Sequence, residues 1–445
     1  MSEIAFPAQS TVRRHVTGLG LLVIALVISV AAYAMAGLGL RGRAPRDIVV
    51  YAIVFCGAFV AGWLVVRFTA PRADPVLYPT ATVLAGLGIA MLYRIMVARG
   101  ESTVAREQAI WLLVGVAAFC ATLWFVRDDR RLNAYTYTIG LIGVVLLLLP
   151  VLPNIPPIGG GREINGARLW AEIGPFSFQP AEFGKIFIVV FLASYLTDKQ
   201  ELLAAGAGRF GLPRAKDLGP LLLAWGTSLA VLFLERDLGA SLLFFGMFVV
   251  MLWVASGRAA YLWIGLALFA SGAWLGYLVL DHVQTRVDTW LHALDPGTVT
   301  GTGYFQLAQG WFAMATGGIV GTGLGQGSPT LIPYVGSDFI FAAFGEELGM
   351  IGAFALLLLY LILIARGLRI AMERSDTFGK LLATGLTTIL ALQTFTIVAG
   401  VTRLIPLTGV PLPLVSYGGS SRVATFVMLA LLIKVSSGPM ERSHG

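Results

Sequence analysis

The chain alternates between long apolar segments and short polar connections over almost its whole length. A helix that crosses a membrane needs about 20 mostly apolar residues. Twelve segments meet this requirement, and they are centred near residues 27, 58, 86, 116, 143, 189, 226, 247, 270, 353, 391 and 428. This pattern predicts an all-α polytopic membrane protein, a helical bundle of about twelve transmembrane helices.

The polar motifs divide this bundle into two parts. We interpret residues 1–445 as a single integral membrane domain, with five spans within residues 16–152. Residues 153–445 hold the other seven spans and most of the polar motifs. A long extracytoplasmic connection, residues 281–338, separates the ninth span from the tenth.

Composition and charge support a membrane protein. The chain is 57% hydrophobic and 12% charged, whereas soluble domains carry about 25% charged residues. The net charge of +7 comes from short connections, where Lys and Arg set orientation, so we expect no nucleic-acid partner. With Arg13 and Arg14 in the cytoplasm, most basic residues lie inside and both termini are cytoplasmic. One connection opposes this rule, because it places Arg41, Arg43 and Arg46 outside.

The connection at residues 281–338 is the best candidate for an exported catalytic segment. Arg286 is its only Lys or Arg, and its carboxylates include Asp288 and Asp295. The proline after Asp295 disfavours helix there. Asp295 could act as a general base or hold a cation, or it could be the carboxylate of a solvated Asx-type turn.

Charged residues at the ends of predicted spans form a second group of candidates. Glu182 and Lys185 are three residues apart, so they share one helical face. They could bind an anionic headgroup, or form an ion pair that only stabilises the helix. Asp237 lies in the turn Glu235-Arg236-Asp237, which is either a cavity-lining cluster or a polar hairpin. Ionisable residues inside a membrane are functional candidates by default.

Several arginines and serines could bind phosphate. Arg162 and Arg168 precede the sixth span, where a bidentate guanidinium could hold a phosphate or extend to the membrane interface. Arg403 lies near the start of a third exported segment, residues 402–422. Ser416 and Ser420 belong to its Gly-rich end, which could form an anion-binding concavity or a helix N-cap.

Three further carboxylates lie at the start of the tenth span. Asp338 precedes this span, and Glu346 and Glu347 fall inside an apolar run, so at least one should face a polar cavity.

The sequence contains neither a P-loop nor a G-x-S-x-G elbow. The four histidines have no metal-ligand spacing, and Cys56 and Cys120 are expected to be buried apolar side chains.

Six ordered motifs resemble the SEDS family (shape, elongation, division and sporulation). They are NGARLW at 165–170, FQPAEFGKI at 178–186, ERDLGAS at 235–241, GTGYFQLAQ at 301–309, SDFIFAAFGEELG at 337–349 and VTRLIPLTGVPLPLVSYGGSS at 401–421. The resemblance implies a SEDS-type bundle, commonly of ten spans, preceded here by two N-terminal helices.

The resemblance also implies an activity. SEDS proteins are peptidoglycan glycosyltransferases that polymerise lipid II, together with a class B penicillin-binding protein as transpeptidase. The family's key carboxylate is an Asp in the long exported connection. The resemblance therefore implies Asp295 as the catalytic residue, with Asp288 as the alternative. Substrate-binding candidates are then Arg162, Arg168, Glu182, Lys185, Asp237, Gln306, Asp338, Glu346, Glu347, Arg403, Ser416 and Ser420.

The expected setting is the outer face of the bacterial cytoplasmic membrane, in cell elongation or division. A divalent cation such as Mg²⁺ or Mn²⁺ could assist, although the sequence identifies no metal ligands. Two other functions remain open. Broken helices and intramembrane charges also suit a lipid flippase or transporter, and a non-catalytic scaffold of the elongation or division machinery would need no catalytic carboxylate.

Overall fold

A computed structural model of the chain describes residues 11–151, 158–164, 167–173, 176–205, 219–295 and 302–438. It is mainly helical, as predicted. The helices are α1 Thr11–Arg41, α2 Ile48–Thr69, α3 Leu77–Ala98, α4 Ser102–Phe125, α5 Thr136–Leu148, α6 Pro180–Ala205, α7 Gly219–Glu235, α8 Leu238–Ser256, α9 Ala260–Val279, α10 Asp281–His292, α11 Thr302–Gly317, α12 Ile340–Glu373, α13 Thr377–Val401 and α14 Gly419–Ser436.

Eleven helical segments of the described chain are long and apolar enough to cross a membrane. Each of the twelve predicted centres lies within a helix. The seventh is α7, whose 17 residues span about 25 Å at 1.5 Å per residue. The other eleven segments have 18 residues or more, so the described part of α7 falls just below the length expected of a span.

The main departure from an all-helical architecture is a small antiparallel sheet, with strands β1 Ile158–Ile164, β2 Ala167–Ile173 and β3 Phe176–Phe178 in the order β1-β2-β3. The Gly- and Pro-rich sequence here cannot continue a helix. Trp170 of β2 pairs with Arg162 of β1, and β3 leads directly into α6. The predicted long connection is likewise ordered in part, because it contains α10 and α11.

The helices at the centre of the bundle are buried on nearly every face. α3, α13 and α14 have few positions exposed, whereas α1, α2 and α9 present broad apolar surfaces to the surroundings. This difference is expected in a membrane bundle, since lipid tails solvate apolar side chains as well as a protein core does. The inner helices therefore hold the polar groups that cannot face lipid.

The two N-terminal helices are integrated into the bundle. α1 packs along α3, and α2 packs along α4. Gly39, near the end of α1, lies so close to Leu324 that a Cβ there would collide with the Leu324 carbonyl. The side-chain amide of Gln326 also donates to the Gly39 carbonyl at 3.1 Å. The end of α1 therefore fixes a segment of the polar loop that precedes α12.

Contacts at one end of the bundle bring the two ends of the described chain together. Arg14 donates to the Arg72 carbonyl at 2.7 Å, and the Asp74 amide donates to Ser436 Oγ at 3.1 Å. Arg366 pairs with Asp74 at 3.2 Å. The start of α1 and the end of α14 thus lie at the same end, while α14 begins at the opposite end.

α12 is interrupted by a glycine with a left-handed backbone. Gly349 has φ of 66° within the 34-residue helix, a conformation that costs other residues strain. A side chain there would also collide with the backbone of Gly321. The interruption receives backbone hydrogen bonds from the preceding loop, where Thr322 N donates to Glu346 O at 3.0 Å and Gly323 N to Glu347 O at 2.9 Å.

Candidate active site

A cavity of about 660 Å³ opens at the end of the bundle where α14 begins. Its wall is formed by β2, the first turns of α6 and α8, one face of α10, the start of α11 and the loops before α12 and α14. We call it the polar cavity, because six charged side chains line it: Glu182, Lys185, Arg236, Asp237, Arg286 and Asp338. Three are basic and three acidic, so their formal charges cancel.

The predicted pair at the start of α6 is present and buried. Lys185 Nζ lies 2.6 Å from Glu182 Oε2 and 3.0 Å from Gln393 Oε1. Gln393 in turn donates to the Pro411 carbonyl at 2.9 Å. Pro180 occupies the first position of α6, where its missing N–H is not needed. The pair therefore fixes α6 to α13 and to the loop before α14 at the wall of the polar cavity.

Arg286 brings two carboxylates into one electrostatic group. It donates to the Leu407 carbonyl at 2.6 Å, and its charge stabilises the ionised forms of both Asp237 and Asp338. A Cβ placed on Gly409 would lie 3.8 Å from both terminal nitrogens of Arg286 and from Asp338 Oδ2. The arginine and Asp338 therefore approach the same small volume of the cavity.

Burial shifts the protonation of both carboxylates. Desolvation raises the pKa of Asp338 to about 6, against opposing contributions from the Ser337 hydroxyl and Arg286. Desolvation also raises the pKa of Asp237, which is opposed first by the hydrogen bond from the Ala240 amide. That bond, 2.9 Å long, makes Asp237 the N-cap of α8. Asp237 therefore both starts a helix and lines the cavity.

The two aspartates of the long connection lie outside this lining. On α10, the residues that face the cavity are Thr285, Arg286, Thr289 and Trp290. At 100° per residue, Asp288 lies roughly 130° from the centre of that face. Asp288 is exposed, accepts a hydrogen bond from the Tyr304 hydroxyl and pairs with His292 Nδ1 at 2.9 Å. These contacts lower the pKa of Asp288, chiefly through Tyr304.

Asp295 lies three residues beyond the end of α10, and its side chain is exposed. Its amide donates to the His292 carbonyl at 3.1 Å, and α10 has already ended at this point, as the following proline predicted. The following residues, 296–301, lie outside the described part of the chain. Asp295 is thus carried by the helix that supplies Arg286 to the polar cavity.

Arg403 holds the end of α10 rather than lining the cavity. Its Nε donates to the Trp290 carbonyl at 2.7 Å and its Nη2 to the Leu291 carbonyl at 2.5 Å. The Trp290 indole donates back to the Arg403 carbonyl at 2.9 Å. A guanidinium on the last carbonyls of a helix is favourable for its dipole. Arg403 therefore positions the segment that carries Asp295.

The predicted serines and Gln306 lie in or beside the cavity wall. Ser420 lines it and accepts from the Gln179 amide at 3.0 Å. Gln306 also lines it and donates to the Pro333 carbonyl at 3.2 Å. Ser416 is buried, accepts from the Leu412 amide at 2.8 Å and donates to the Ser337 carbonyl at 2.6 Å. Ser416 therefore joins the loop before α14 to the loop that carries Asp338.

Glu346 and Glu347 bind the protein's own backbone. Glu347 lies 2.5 Å from Arg94 Nε and accepts from the Gly325 amide at 2.9 Å. Glu346 accepts from the Ser328 amide at 2.7 Å. Neither lines the polar cavity. Their described contacts hold the loop at residues 325–328, which satisfies the expectation of polar partners but gives these two residues no place in the cavity wall.

Arg162 and Arg168 lie in β1 and β2, and their side chains are outside the part that the structure describes. Four aromatic lining residues were not predicted from the sequence. Trp170, Trp290, Tyr334 and Tyr417 supply aromatic surface. Arg286 was noted only as the sole basic residue of its connection, and this isolation was the signal that could have identified it.

Comparison with known proteins identifies the family. The FTSW_RODA_SPOVE family, described as "Cell cycle protein", matches residues 75–440. This match begins just before α3, so α1 and α2 precede it. The chain is 45% identical over 427 residues to "Peptidoglycan glycosyltransferase RodA" of Mycobacterium tuberculosis, covering 94% of this chain and 89% of that protein. The corresponding values for the Mycobacterium leprae protein of the same name are 43%, 425 residues, 94% and 89%.

An FtsW relative and a solved structure agree with this assignment. "Probable peptidoglycan glycosyltransferase FtsW" of Geobacter metallireducens is 33% identical over 381 residues, covering 82% of this chain and 95% of that protein. A structure titled "Structural coordination of polymerization and crosslinking by a peptidoglycan synthase complex" superposes with a TM-score of 0.66 at 27% identity, covering 82% of this chain and 97% of that one. The chain is a multi-pass membrane protein of the SEDS family, which comprises the FtsW, RodA and SpoVE proteins.

Proposed function

We propose that this protein is a peptidoglycan glycosyltransferase that polymerises lipid II at the outer face of the cytoplasmic membrane. The observation that carries the proposal is the polar cavity at one end of a membrane bundle, in which Arg286 stabilises the ionised forms of both Asp237 and Asp338. The names of the mycobacterial relatives give the reaction class. Most basic residues in the connections lie at the end opposite the cavity, which favours an outward-facing cavity with both termini in the cytoplasm.

The reaction joins two lipid-linked sugars. The 4-hydroxyl of the acceptor sugar attacks the anomeric carbon of the donor, the bond from that carbon to the diphosphate oxygen breaks, and the polyprenyl diphosphate leaves with the bonding electron pair. The hydroxyl proton must pass to a base as the new bond forms. Direct displacement at an α-linked donor gives a β-linked product without a covalent enzyme intermediate.

Asp295 is the proposed base, with Asp288 as the alternative. Asp295 follows the end of α10, and one face of that helix lines the polar cavity. The contacts of Arg403 with the carbonyls of Trp290 and Leu291 fix this helix end. Asp288 is already engaged by Tyr304 and His292 and points away from the cavity-facing side, which favours Asp295.

Arg286 is the proposed partner of the departing diphosphate. A preorganised cation stabilises charge that develops in a transition state without reorganisation of solvent, and a guanidinium fits phosphate oxygens in a bidentate manner. Lys185 supports this role less directly, because Glu182 and Gln393 already occupy two of its donors. Arg162 and Arg168, which lie in β1 and β2, remain further candidates.

A divalent cation fits this site only if the substrate provides most of its ligands. Among the described residues, no group of three or more His, Cys, Asp or Glu side chains could hold a metal. Asp237 and Asp338 can offer carboxylate oxygens, which Mg²⁺ and Mn²⁺ accept, and Mg²⁺ commonly uses one or two carboxylates plus phosphate oxygens. Such an ion would offset diphosphate charge that the balanced charges of the cavity do not neutralise.

We further propose that the enzyme works with a class B penicillin-binding protein. The solved structure that it resembles is described as a complex that coordinates polymerisation and crosslinking. The apolar outer surfaces of α9 and α12 are broad and exposed, as a membrane helix of a partner would require. The transpeptidase would then receive the glycan strand directly from the polar cavity.

The test is polymerisation of labelled lipid II by the purified full-length protein, with and without a cognate penicillin-binding protein. Wild-type protein should form glycan strands. Asp295→Asn should abolish them, whereas Asp288→Asn should retain most activity. The opposite result would identify Asp288 as the base. Normal polymerisation by Asp295→Asn would refute the assignment of the base, and flipped but unpolymerised lipid II would favour a flippase.

A further inference from the structure

A second cavity, of about 510 Å³, lies between the two N-terminal helices and the family-matched part of the bundle. α1, α2, α3 and α4 form its walls. We call it the tyrosine cleft, because Tyr33, Tyr51 and Tyr93 line it together with apolar residues such as Val54 and Leu113. The family match begins at residue 75, so two of the four walls come from outside the matched region.

The tyrosine cleft contains hydrogen-bonding groups beside its apolar lining. The Tyr33 hydroxyl donates to Asp47 Oδ2 at 2.9 Å. The Tyr33 ring stacks on Tyr51 at 4.0 Å and contacts Tyr93 at 4.5 Å between ring centroids. The Tyr51 hydroxyl is buried and has no hydrogen-bond partner among the described residues. A buried unpaired hydroxyl is costly, so this group favours a polar ligand in the cleft.

One arginine lines the cleft, and three others lie on the connection that leads to it. Arg106 lines it and is exposed. Arg41, Arg43 and Arg46 lie on the connection that ends at Asp47, and all three are exposed. Arg41 acts electrostatically on Tyr93 within the cleft. Arg41, Arg43 and Arg46 are the basic residues that oppose the orientation rule. Residues 41–47 and 99–107 together hold five arginines against three carboxylates, Asp47, Glu101 and Glu107. The rim therefore favours an anion.

The cleft reaches the lipid-facing surface. Val54 and Leu113 line it and are also among the exposed apolar side chains. Its volume is comparable with one turn of an α-helix with side chains, on the order of 400 Å³ from the helix diameter and pitch. It is therefore too small to hold a partner's transmembrane helix, but it lies in the range of small-ligand sites, about 300–1,000 Å³.

We propose that the tyrosine cleft binds an anionic glycerophospholipid, with the phosphate at Arg106, headgroup hydroxyls at Asp47 and Tyr51, and the first carbons of an acyl chain beside Val54. The lipid would belong to the outer leaflet, and this placement alone depends on the orientation proposed above. The site is separate from the polar cavity, so it does not depend on the proposed catalytic residues.

The test is native mass spectrometry of the full-length protein, delipidated in detergent and titrated with phosphatidylglycerol or phosphatidylethanolamine. Wild type should retain phosphatidylglycerol at least tenfold more tightly than phosphatidylethanolamine. Arg106→Gln should weaken phosphatidylglycerol binding roughly tenfold, since a charge-assisted hydrogen bond to a phosphate is lost. Val54→Trp should weaken it by filling the cleft without changing the charge.

Arg67→Gln is the matched control, because Arg67 is an exposed arginine at the other end of α2. It should leave phosphatidylglycerol binding unchanged. Equal binding of the two lipids would overturn the proposal, as would unchanged binding in both Arg106→Gln and Val54→Trp. Retention of a protein partner by the wild type in place of lipid would also overturn it and would identify the cleft as a docking surface.

Discussion

Replacement of Arg286 by glutamine should abolish most polymerase activity while leaving a folded protein. Arg286 donates to the Leu407 carbonyl and favours the ionised forms of two carboxylates in the polar cavity. Loss of a charge-assisted hydrogen bond costs about 1.5–3 kcal/mol, and loss of one preorganised donor to transition-state charge costs about 10²–10³ in kcat. We therefore expect polymerisation of lipid II to fall at least 100-fold.

The same change should alter stability in a way that identifies its cause. Without Arg286, Asp338 and Asp237 lose the cation that stabilises their ionised forms, and an uncompensated buried charge is destabilising. Arg286→Gln should therefore lower Tm, and Asp338→Asn in the same chain should restore part of the loss. Activity should not return in the double variant, because the cation that faces the diphosphate is still missing.

The assay is strand formation from labelled lipid II in detergent, together with thermal unfolding of each variant. Arg67→Gln is a suitable control, since it removes an arginine far from the cavity. Retention of half or more of the wild-type rate by Arg286→Gln would refute the assigned role of this arginine. A double variant that unfolds at the same temperature as Arg286→Gln would refute the electrostatic explanation of its instability.

Three further results are expected. Burial raises the pKa of Asp338 to about 6 from an ordinary 3.8. The stabilising contribution of the protonated Asp338 is therefore present below pH 3.8 and is lost as pH rises through 6. Asp338→Asn should then raise Tm at pH 8 and much less at pH 5. An unchanged difference across this range would contradict the assignment. Gly349→Ala should destabilise the protein by about 1–3 kcal/mol, because Gly349 has a positive φ and lies against the Gly321 backbone. In the control Gly57→Ala, the methyl group would meet no atom within 4 Å. This control should be neutral or stabilising in thermal unfolding. Arg94→Met should cost about 3–5 kcal/mol, since it leaves Glu347 buried without its cation; a Tm equal to wild type would show that the pair is dispensable.

Hydrophobic periodicity predicted the helices well because span length and apolarity are local properties of the sequence. The pairing of Glu182 with Lys185 was also accessible, since a spacing of three residues fixes their common face. The limits appear where chain segments distant in sequence meet. Nothing local indicates that Arg403 binds the end of α10, or that Glu347 pairs with Arg94 across 253 positions.

The candidate site was predictable in part. Asp237, Asp338, Gln306 and Ser420 were selected from motifs and do line the cavity. Arg286 was missed as a binding residue because its role arises from the convergence of α8, α10 and the loops before α12 and α14. The roles of Asp295 and Asp288 stay predictions, since their position on or after α10 does not by itself establish chemistry.

The contact between α1 and the loop before α12 has a consequence for attempts to shorten this protein. A version trimmed to residues 75–440 would retain the family-matched chain but lose Gly39, against which Leu324 and Gln326 rest. The neighbouring amides of Gly325 and Ser328 serve Glu347 and Glu346. Removal of α1 should therefore disturb the loop that precedes α12, and not only the surface that α1 covers.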